Sequence, residues 1–238
     1  MRLIFLFLFS VSLYASNITL AVAANVSYAI KSLIVDFNKI YPEIKVNVVL
    51  GSSGKLTAQI QNHAPYDIFL SANMKYPIFL YQHGLTYTKP VVYAKGEVVV
   101  FSPRKKITSF EQLNKLKRIA MPNPKLAPYG RAASEFINKC FDKKLNIIYT
   151  QTVTQALSYS FSATDGAFIA KSALFSPKMS KFDGSHYLVL PSNCYHPIKQ
   201  GMVILKRAMN NKDAAAFFSY MLSTRAANIL KKYGYSVE

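Results

Sequence analysis

The sequence is poor in acidic residues and in cysteine, and it contains no tryptophan. Its 11 acidic residues are outnumbered by 29 lysines and arginines, so the formal net charge of the 238 residues is +18. Such an excess is compatible with nucleic acid, an acidic membrane surface or an anionic ligand as partner. The basic residues are scattered over separate segments without a common stripe, which favours solvated faces and argues against a nucleic-acid partner.

Motifs of common catalytic and metal sites are missing as well. The chain has no G-x-S-x-G, no H-E-x-x-H and no Cys–His pair at a meaningful spacing. Zinc is not indicated, because the histidines share no ligand spacing with each other or with the cysteines. A secreted hydrolase stays open, since catalytic triads assemble in space. We expect a protein that is not an enzyme, with no catalytic residue, no cofactor and no metal cation bound directly.

The N-terminus is typical of an exported protein. Arg2 precedes an apolar run over residues 3–14, and Ala15 offers a small residue at a plausible cleavage point, so residues 1–15 are predicted to be a signal peptide. The run is short for a membrane span. We therefore expect a periplasmic location, where Cys140 and Cys194 are able to pair. The sequence does not show whether their Cα atoms lie within about 7 Å, so both redox states stay open.

Strand-like and helical patterns alternate along the mature chain. Strands are predicted over 17–24, 46–50 and 68–70, each followed by a helical pattern. This alternation predicts an α/β fold with parallel strands, whose ligand crevice lies beyond the carboxyl ends of the strands. The pattern restarts near residue 95, which indicates two lobes.

Polar turns join these strands to their helices. Asn25 is predicted at or near the N-cap of the first helix, and a Gly-Ser-Ser-Gly turn precedes a second helix that is predicted to begin near Leu56. A helix start offers free N–H groups that favour an anion. The spacing differs from a Walker P-loop, since no Ser or Thr follows Lys55. An ordinary turn with a serine N-cap explains the local sequence as well as an anion-binding site does.

The second half of the chain repeats this succession of strand, polar turn and helix start. A strand over 119–121 runs into a proline-rich turn with Tyr129 and Gly130 at its mouth, and a helix is predicted from about residue 132 to 141. Thr152 is a suitable N-cap for a helix opened by Val153, whose N–H would then be a free donor. A further capped helix is predicted over 109–116.

Several segments resemble, in collinear order over the mature chain, the family of periplasmic molybdate/tungstate-binding proteins of ABC importers. The segments are Ala23-Ala24-Asn25, Gly51 to Leu56 with Gln59-Ile60, Ala64 to Ala72, Asn123-Pro124 with Ala127 to Gly130, and Tyr233-Gly234-Tyr235.

The resemblance implies a two-lobed type II periplasmic binding protein fold, with a ligand cleft between the lobes and a two-strand hinge. Lobe 1 would comprise residues 16–94 and 206–238. Lobe 2 would comprise residues 95–205, including crossing strands at 97–101 and 201–205. The resemblance also implies delivery of molybdate or tungstate to the membrane permease of an ABC importer. We expect the protein to act as a monomer.

Carried over by position, the ligand contacts fall on Asn25, Ser53, Tyr129 and Val153, the last through its backbone N–H. Ala24 and Ser52 are adjacent candidates, and Ile169 stands where many members of the family have a hydroxyl group.

A deprotonated oxyanion offers only acceptors, so its site needs hydrogen-bond donors and gains nothing from a carboxylate. Lys55, Lys125 and Arg131 are expected to raise the local anion concentration from outside the cleft. Asp67 is expected to be structural, at the start of a strand. Sulfate, phosphate and Fe³⁺ stay open as ligands; phosphate would favour a carboxylate in the pocket, and Fe³⁺ a pair of tyrosines.

Overall fold

The computed structural model describes residues 16–141 and 143–237, so the predicted signal peptide lies outside the described residues. Its strands are β1 (Ser16–Ala23), β2 (Ile44–Gly51), β3 (Ile68–Ser71), β4 (Val91–Gly96), β5 (Val98–Phe101), β6 (Ile119–Pro122), β7 (Ile147–Thr150), β8 (Gly166–Ala170), β9 (Tyr187–Val189) and β10 (Ile198–Ile204). Its α-helices are α1 (Ser27–Phe37), α2 (Ser53–Gln61), α3 (Lys75–Gln82), α4 (Phe110–Leu113), α5 (Pro128–Cys140), α6 (Val153–Ser162), α7 (Lys212–Met221) and α8 (Thr224–Lys232). None of these helices is both long and apolar enough to cross a membrane.

The strands form two five-stranded sheets, which agrees with the predicted two-lobed α/β fold. The first sheet has the order β2-β1-β3-β10-β4 and the second the order β7-β6-β8-β5-β9. In the first sheet β1 lies parallel to β2 and β3, and in the second β6 lies parallel to β7 and β8. Parallel strands place their carboxyl ends at one edge, so the turns that follow them meet at that edge.

Each sheet has its own apolar core. In the first lobe β1 is buried on both faces: Leu20 and Val22 pack in one apolar cluster and Ala21 in another. In the first of these clusters, Phe37 of α1 packs edge-on against Phe217 of α7. In the second lobe, all of β5 is buried, as is typical of a central strand covered on both faces.

Cys140 and Cys194 form a disulfide, with their Cα atoms 5.8 Å apart. The bond ties the last residue of α5 to the turn over 192–194. The two cysteines are 54 residues apart in sequence. Closing a loop of that length restricts the unfolded chain, which stabilises the folded state by about 4 kcal/mol in the loop-entropy model. The pairing that the sequence left open is therefore a constraint within the second lobe.

Two segments cross between the sheets. β4 of the first sheet continues into β5 of the second through Glu97, and residues 190–197 return from β9 to β10. β10 pairs with β3 and β4, so residues 198–204 belong to the first sheet, although the predicted boundary assigned them to the second lobe. From sheet membership we propose 16–96 and 198–237 for lobe 1, and 98–189 for the core of lobe 2.

Two helix starts differ from the prediction in ways that affect the site. α2 begins at Ser53, three residues before the predicted start, because the Ser52 hydroxyl accepts the N–H of Lys55 as an N-cap. α5 begins at Pro128, so Tyr129 and Gly130 lie in its first turn and not in the preceding loop. Proline suits the first helical position, where an N–H would have no partner in the helix.

The helix predicted over 109–116 was too long, since α4 spans four residues and is followed by a turn. The strand β4 was not predicted at all. Its sequence ends in Lys95 and Gly96, and it lacks the apolar alternation that marks the other strands.

Candidate ligand-binding site

Every residue singled out for the site is buried. The exposed fractions are 1% for Asn25, 1% for Ser53, 2% for Tyr129, 5% for Val153, 5% for Ala24, 5% for Ser52 and 0% for Ile169. A ligand held by such residues would be shielded from water, which strengthens its hydrogen bonds.

These residues converge from both lobes. Nδ2 of Asn25 lies 3.3 Å from Oη of Tyr129, although the two are 104 residues apart. Ala24, Tyr129, Val153 and Ile169 belong to one buried cluster, which also contains Ala72. The Ser53 hydroxyl accepts the N–H of Ala72 at 2.9 Å, which joins the start of α2 to the same place.

The starts of α2 and α6 are built alike. Each is capped by the hydroxyl of the preceding residue, which accepts an N–H from within the first turn: Ser52 from Lys55 at 3.4 Å, and Thr152 from Gln155 at 3.1 Å. The predicted Thr152 cap is thus confirmed. The first N–H groups of a helix have no acceptor inside it, so those of Ser53 and Val153 are available to a ligand. The helix dipoles favour an anion at both places.

The Ser53 side chain is oriented as a donor. Its oxygen already accepts the N–H of Ala72, so the hydroxyl hydrogen can point at a ligand. The main-chain oxygen of Ser53 accepts from Thr57 at 2.8 Å, which holds the first turn of α2 in place. This arrangement suits a ligand that carries only acceptors.

Asn25 lies near the N-cap of α1, as predicted, but its side chain does not cap the helix. It lies in a 3₁₀ turn, Ala24–Val26, and the N-cap of α1 is the next residue, Val26, with no side-chain capping bond. Its side chain instead points into a polar cluster that includes Gln200 and Tyr235, because β10 and the C-terminal segment both pass beside the turn.

The amide of Asn25 has partners on one side only. Nδ2 donates to Oε1 of Gln200 and to Oη of Tyr235, each at 2.9 Å, and lies farther from Tyr129. The main-chain oxygen accepts from the hydroxyls of Ser172 and Tyr235, also at 2.9 Å. Oδ1 is buried and has no hydrogen-bond partner among the described residues. A buried polar atom in this state costs about 1–3 kcal/mol, and Oδ1, as an acceptor, can be satisfied only by a hydrogen-bond donor.

Gln200 and Tyr235 were not recognised from the sequence as parts of the site. Tyr235 belongs to the closing Tyr-Gly-Tyr segment, but no local pattern connects it to Asn25. Gly96 makes room for this cluster, because a Cβ there would collide with the Tyr129 hydroxyl and crowd Gln200. Glycine is needed here for close approach and not for an unusual backbone conformation.

Burial keeps the phenols of the cluster protonated. It raises the pKa of Tyr235 to about 12, against hydrogen bonds with Ser172, Asn25 and Tyr129 that lower it. Burial likewise raises the pKa of Tyr129 well above the ordinary range, and it does the same for Tyr93, a buried phenol that takes no part in the hydrogen bonds of the cluster. Near neutral pH these hydroxyls are therefore uncharged and can act as donors or acceptors.

Contacts near the predicted turn hold the two lobes together. The N–H of Gly54 donates to the main-chain oxygen of Leu126 at 3.0 Å, and the Tyr76 hydroxyl reaches the oxygens of Lys125 and Leu126 at 3.3 and 3.4 Å. Lys55 and Lys125 are exposed, so their charges act from outside the buried site.

Asp67 is the one carboxylate among the buried side chains of the described residues. It accepts the N–H of Thr19 at 2.7 Å and pairs with Arg207 at 3.2 Å, which is the structural role expected for it. Across residues 16–141 and 143–237, no cluster of three or more His, Cys, Asp or Glu side chains could hold a metal ion.

Known proteins share this architecture. A family model described as bacterial extracellular solute-binding protein matches residues 18–236. The molybdate-binding protein ModA of Azotobacter vinelandii is 31% identical over 94% of this chain and 91% of its own length. ModA of Rhodobacter capsulatus is 32% identical over 94% of this chain and 90% of its own. The structure of the Azotobacter vinelandii periplasmic molybdate-binding protein superposes with a TM-score of 0.85, covering 93% of this chain and 99% of that one, which confirms the two-lobed binding-protein fold.

Proposed function

Because the chain belongs to the bacterial extracellular solute-binding protein family, we propose that it captures molybdate or tungstate and delivers the oxyanion to the permease of an ABC importer. The relatives named as molybdate-binding proteins support this ligand. The single observation that carries the proposal is the Ser53 hydroxyl. Its oxygen accepts the Ala72 N–H, which leaves the hydroxyl hydrogen available to donate toward the cleft, beside two helix starts with free N–H groups.

Binding would rely on neutral donors. The donors are the hydroxyl and N–H of Ser53, the N–H groups of Tyr129 and Val153, and the side-chain amide of Asn25. Each hydrogen bond to a charged ligand contributes about 1.5–3 kcal/mol, opposed by desolvation and by the lost freedom of the ligand. We expect a net of about −9 to −12 kcal/mol, which corresponds to submicromolar to nanomolar affinity.

The donors lie on both lobes, so the ligand would stabilise the closed arrangement. Asn25 and Ser53 belong to the first lobe, and Tyr129 and Val153 to the second. The Ser172 hydroxyl also donates to the main-chain oxygen of Asn25 across the lobes. A permease that recognises the closed form would distinguish loaded from empty protein.

The other ligands fit these residues less well. A protonated phosphate would be favoured by a carboxylate acceptor, but the buried carboxylate of Asp67 is engaged by Thr19 and Arg207. The acceptor that remains is the neutral amide oxygen of Asn25, which binds a hydrogen less strongly than a carboxylate does. Fe³⁺ would need deprotonated tyrosines, yet burial raises the pKa of Tyr129 and Tyr235. Sulfate has the same charge and shape as molybdate, and we expect the size of the site to reject it.

We further propose that the protein works in the periplasm as a monomer, without a cofactor and without catalysis. The relatives named above carry the names of binding proteins, which supports a transport role. The surface lysines would dock the protein on the permease.

Calorimetry on the mature chain tests the ligand. Molybdate, tungstate, sulfate and phosphate are titrated separately, and tyrosine fluorescence, which no tryptophan obscures, provides a second signal. We expect submicromolar binding of molybdate or tungstate and at least 100-fold weaker binding of sulfate and phosphate. Equal or tighter binding of phosphate or sulfate would refute the assignment.

A further inference from the structure

A cluster of polar side chains surrounds one edge of the Asn25 amide. We call it the Asn25 cluster, and it consists of Asn25, Tyr129, Gln200 and Tyr235. Its members come from the first turn of lobe 1, from α5, from β10 and from the C-terminal segment. All four are at least 95% buried, so their hydrogen bonds do not compete with bulk water.

The three partners of Asn25 are groups that can both donate and accept. Tyr235 would donate to Oδ1 by moving its hydroxyl hydrogen from the main-chain oxygen of Asn25, which keeps its hydrogen bond from Ser172. A phenol and a primary amide each donate and accept, and neither an ionised carboxylate nor an ammonium group is part of the cluster. The Asn25 amide therefore has two orientations of similar shape. In one, Nδ2 faces the cluster and the buried Oδ1 has no partner. In the other, the cluster donates to Oδ1, and the N–H edge faces the unpartnered side.

The turn that carries Asn25 lies beside the other predicted ligand donors. Asn25 follows β1 at the carboxyl end of the first sheet, and its neighbour Ala24 packs in the same buried cluster as Val153 and Ala72. An oxyanion has no hydrogen to give, so it would be repelled by Oδ1 and bound by Nδ2.

We propose that Tyr235 and Gln200 are positioning residues for oxyanion binding, which together with Tyr129 take the amide oxygen of Asn25 and turn its N–H edge toward the anion. In the structure the amide nitrogen faces the cluster, and a bound anion would select the turned orientation. This role rests on the proposed function. It also explains why the C-terminal segment reaches the turn that carries Asn25.

The backbone fixes Tyr235 independently of its hydroxyl. Gly234, at φ +73°, turns the chain after α8, a conformation that glycine adopts without strain. Ser236 and Lys95 then exchange main-chain hydrogen bonds at 2.7 and 3.0 Å, which attach the segment to β4. Removing the hydroxyl of Tyr235 should therefore leave its ring in place.

The test compares Tyr235→Phe with two matched variants by titration with molybdate. Tyr233→Phe removes a hydroxyl from the same segment, one that pairs with Ser32 at 2.8 Å away from Asn25. Tyr93→Phe removes a buried hydroxyl that has no partner among the described residues. We expect Tyr235→Phe to weaken molybdate binding about 5- to 30-fold, and each control to change it less than twofold. Equal affinities for Tyr235→Phe and Tyr233→Phe would overturn the proposal.

A second measurement observes the Asn25 amide directly in the unaltered protein. The side-chain NH₂ resonances of Asn25, assigned by comparison with a variant lacking that amide, are followed during titration of the unaltered protein with molybdate. A large shift of these resonances with slowed hydrogen exchange supports the turned amide, and unchanged resonances in the saturated protein refute it. If the unaltered protein binds neither molybdate nor tungstate, the proposed function fails and this role fails with it.

Discussion

The starts of α2 and α6 differ from the Asn25 turn in how their donors are held. At α2 and α6 a hydroxyl one residue before the helix caps the first turn, and the free N–H follows from helix geometry alone. At Asn25 the donor is a side chain, whose partners Gln200 and Tyr235 lie 175 and 210 residues away. The main-chain donors at α2 and α6 are determined by five or six consecutive residues. The position of the Asn25 side chain is determined only by contacts that form when the chain folds.

This difference predicts unequal sensitivity to substitution. A backbone N–H survives almost any change of side chain, whereas the Asn25 amide depends on its own identity and on that of its partners. Substitutions at the Asn25 turn should therefore change the affinity for the anion most, while the N–H groups of α2 and α6 contribute to binding whatever the side chains are.

The largest effect is expected for Asn25→Asp. A carboxylate keeps the shape of the amide but places a charged acceptor beside a dianion, and such like-charge contacts cost several kcal/mol. We expect molybdate binding to weaken about 1,000-fold or more by calorimetry. Asn62→Asp, at the exposed far end of α2, adds the same charge and should change the affinity less than threefold. Binding by Asn25→Asp within threefold of the unaltered protein would show that Asn25 does not face the anion.

Two adjacent serines are expected to have different roles: Ser53 donates to the ligand, and Ser52 caps α2. Ser53→Ala removes a hydrogen bond to a charged ligand, about 1.5–3 kcal/mol, so binding should weaken about 10- to 150-fold. Ser52→Ala removes the cap and should lower the free energy of unfolding by about 1 kcal/mol, with a smaller effect on affinity. The reverse order of affinities in the two titrations would assign the contact to Ser52.

Alkaline pH should affect the Asn25 cluster more than the starts of α2 and α6, whose donors are main-chain N–H groups and the Ser53 hydroxyl. The pKa of Tyr235 is about 12 in the folded protein, above the value near 10 in an unfolded chain, so the folded state retains the proton longer. The stability that this phenol contributes is complete below pH 10 and is lost between pH 10 and 12, by about 1.4 kcal/mol per pH unit. Urea unfolding across this range should show a shallower loss for Tyr235→Phe. Identical slopes for the two proteins would contradict the raised pKa.

The smallest effect is expected for Lys55→Gln. Lys55 is exposed, so its charge should accelerate capture at low salt and change the affinity less than threefold at physiological salt. Stopped-flow tyrosine fluorescence at two salt concentrations measures both quantities. If this substitution alone abolished binding at low salt, a direct charge contact would replace the neutral-donor account.

Local sequence was sufficient where local rules apply. Thr152 before Val153 predicts a capped helix, and α6 has that cap. The strands that precede the ligand turns were found because apolar runs ended in polar turns. The start of α2 was placed too late, because the apolar helical pattern begins at Leu56, whereas the Ser52 cap begins the helix three residues earlier.

Long-range packing explains the remaining differences. Tyr129 was placed in a loop because Ala-Pro-Tyr-Gly is typical of turns, yet the chain begins α5 there and packs Gly130 closely against the main-chain oxygen of Pro122. The link from Asn25 to Tyr235 has no local signature. It arises when β10 and the C-terminal segment complete the first lobe around the turn.

The location of the metal atom in a crystal grown with molybdate tests the central claim most directly. Anomalous scattering at the molybdenum absorption edge marks that atom independently of the protein chain. Our account predicts one strong peak between the lobes. The oxygens of the molybdate at that peak should lie within hydrogen-bond distance of donors on Asn25, Ser53, Tyr129 and Val153. A peak elsewhere, for example in the neighbouring basic cavity lined by Lys75, Arg131 and Lys199, would contradict it.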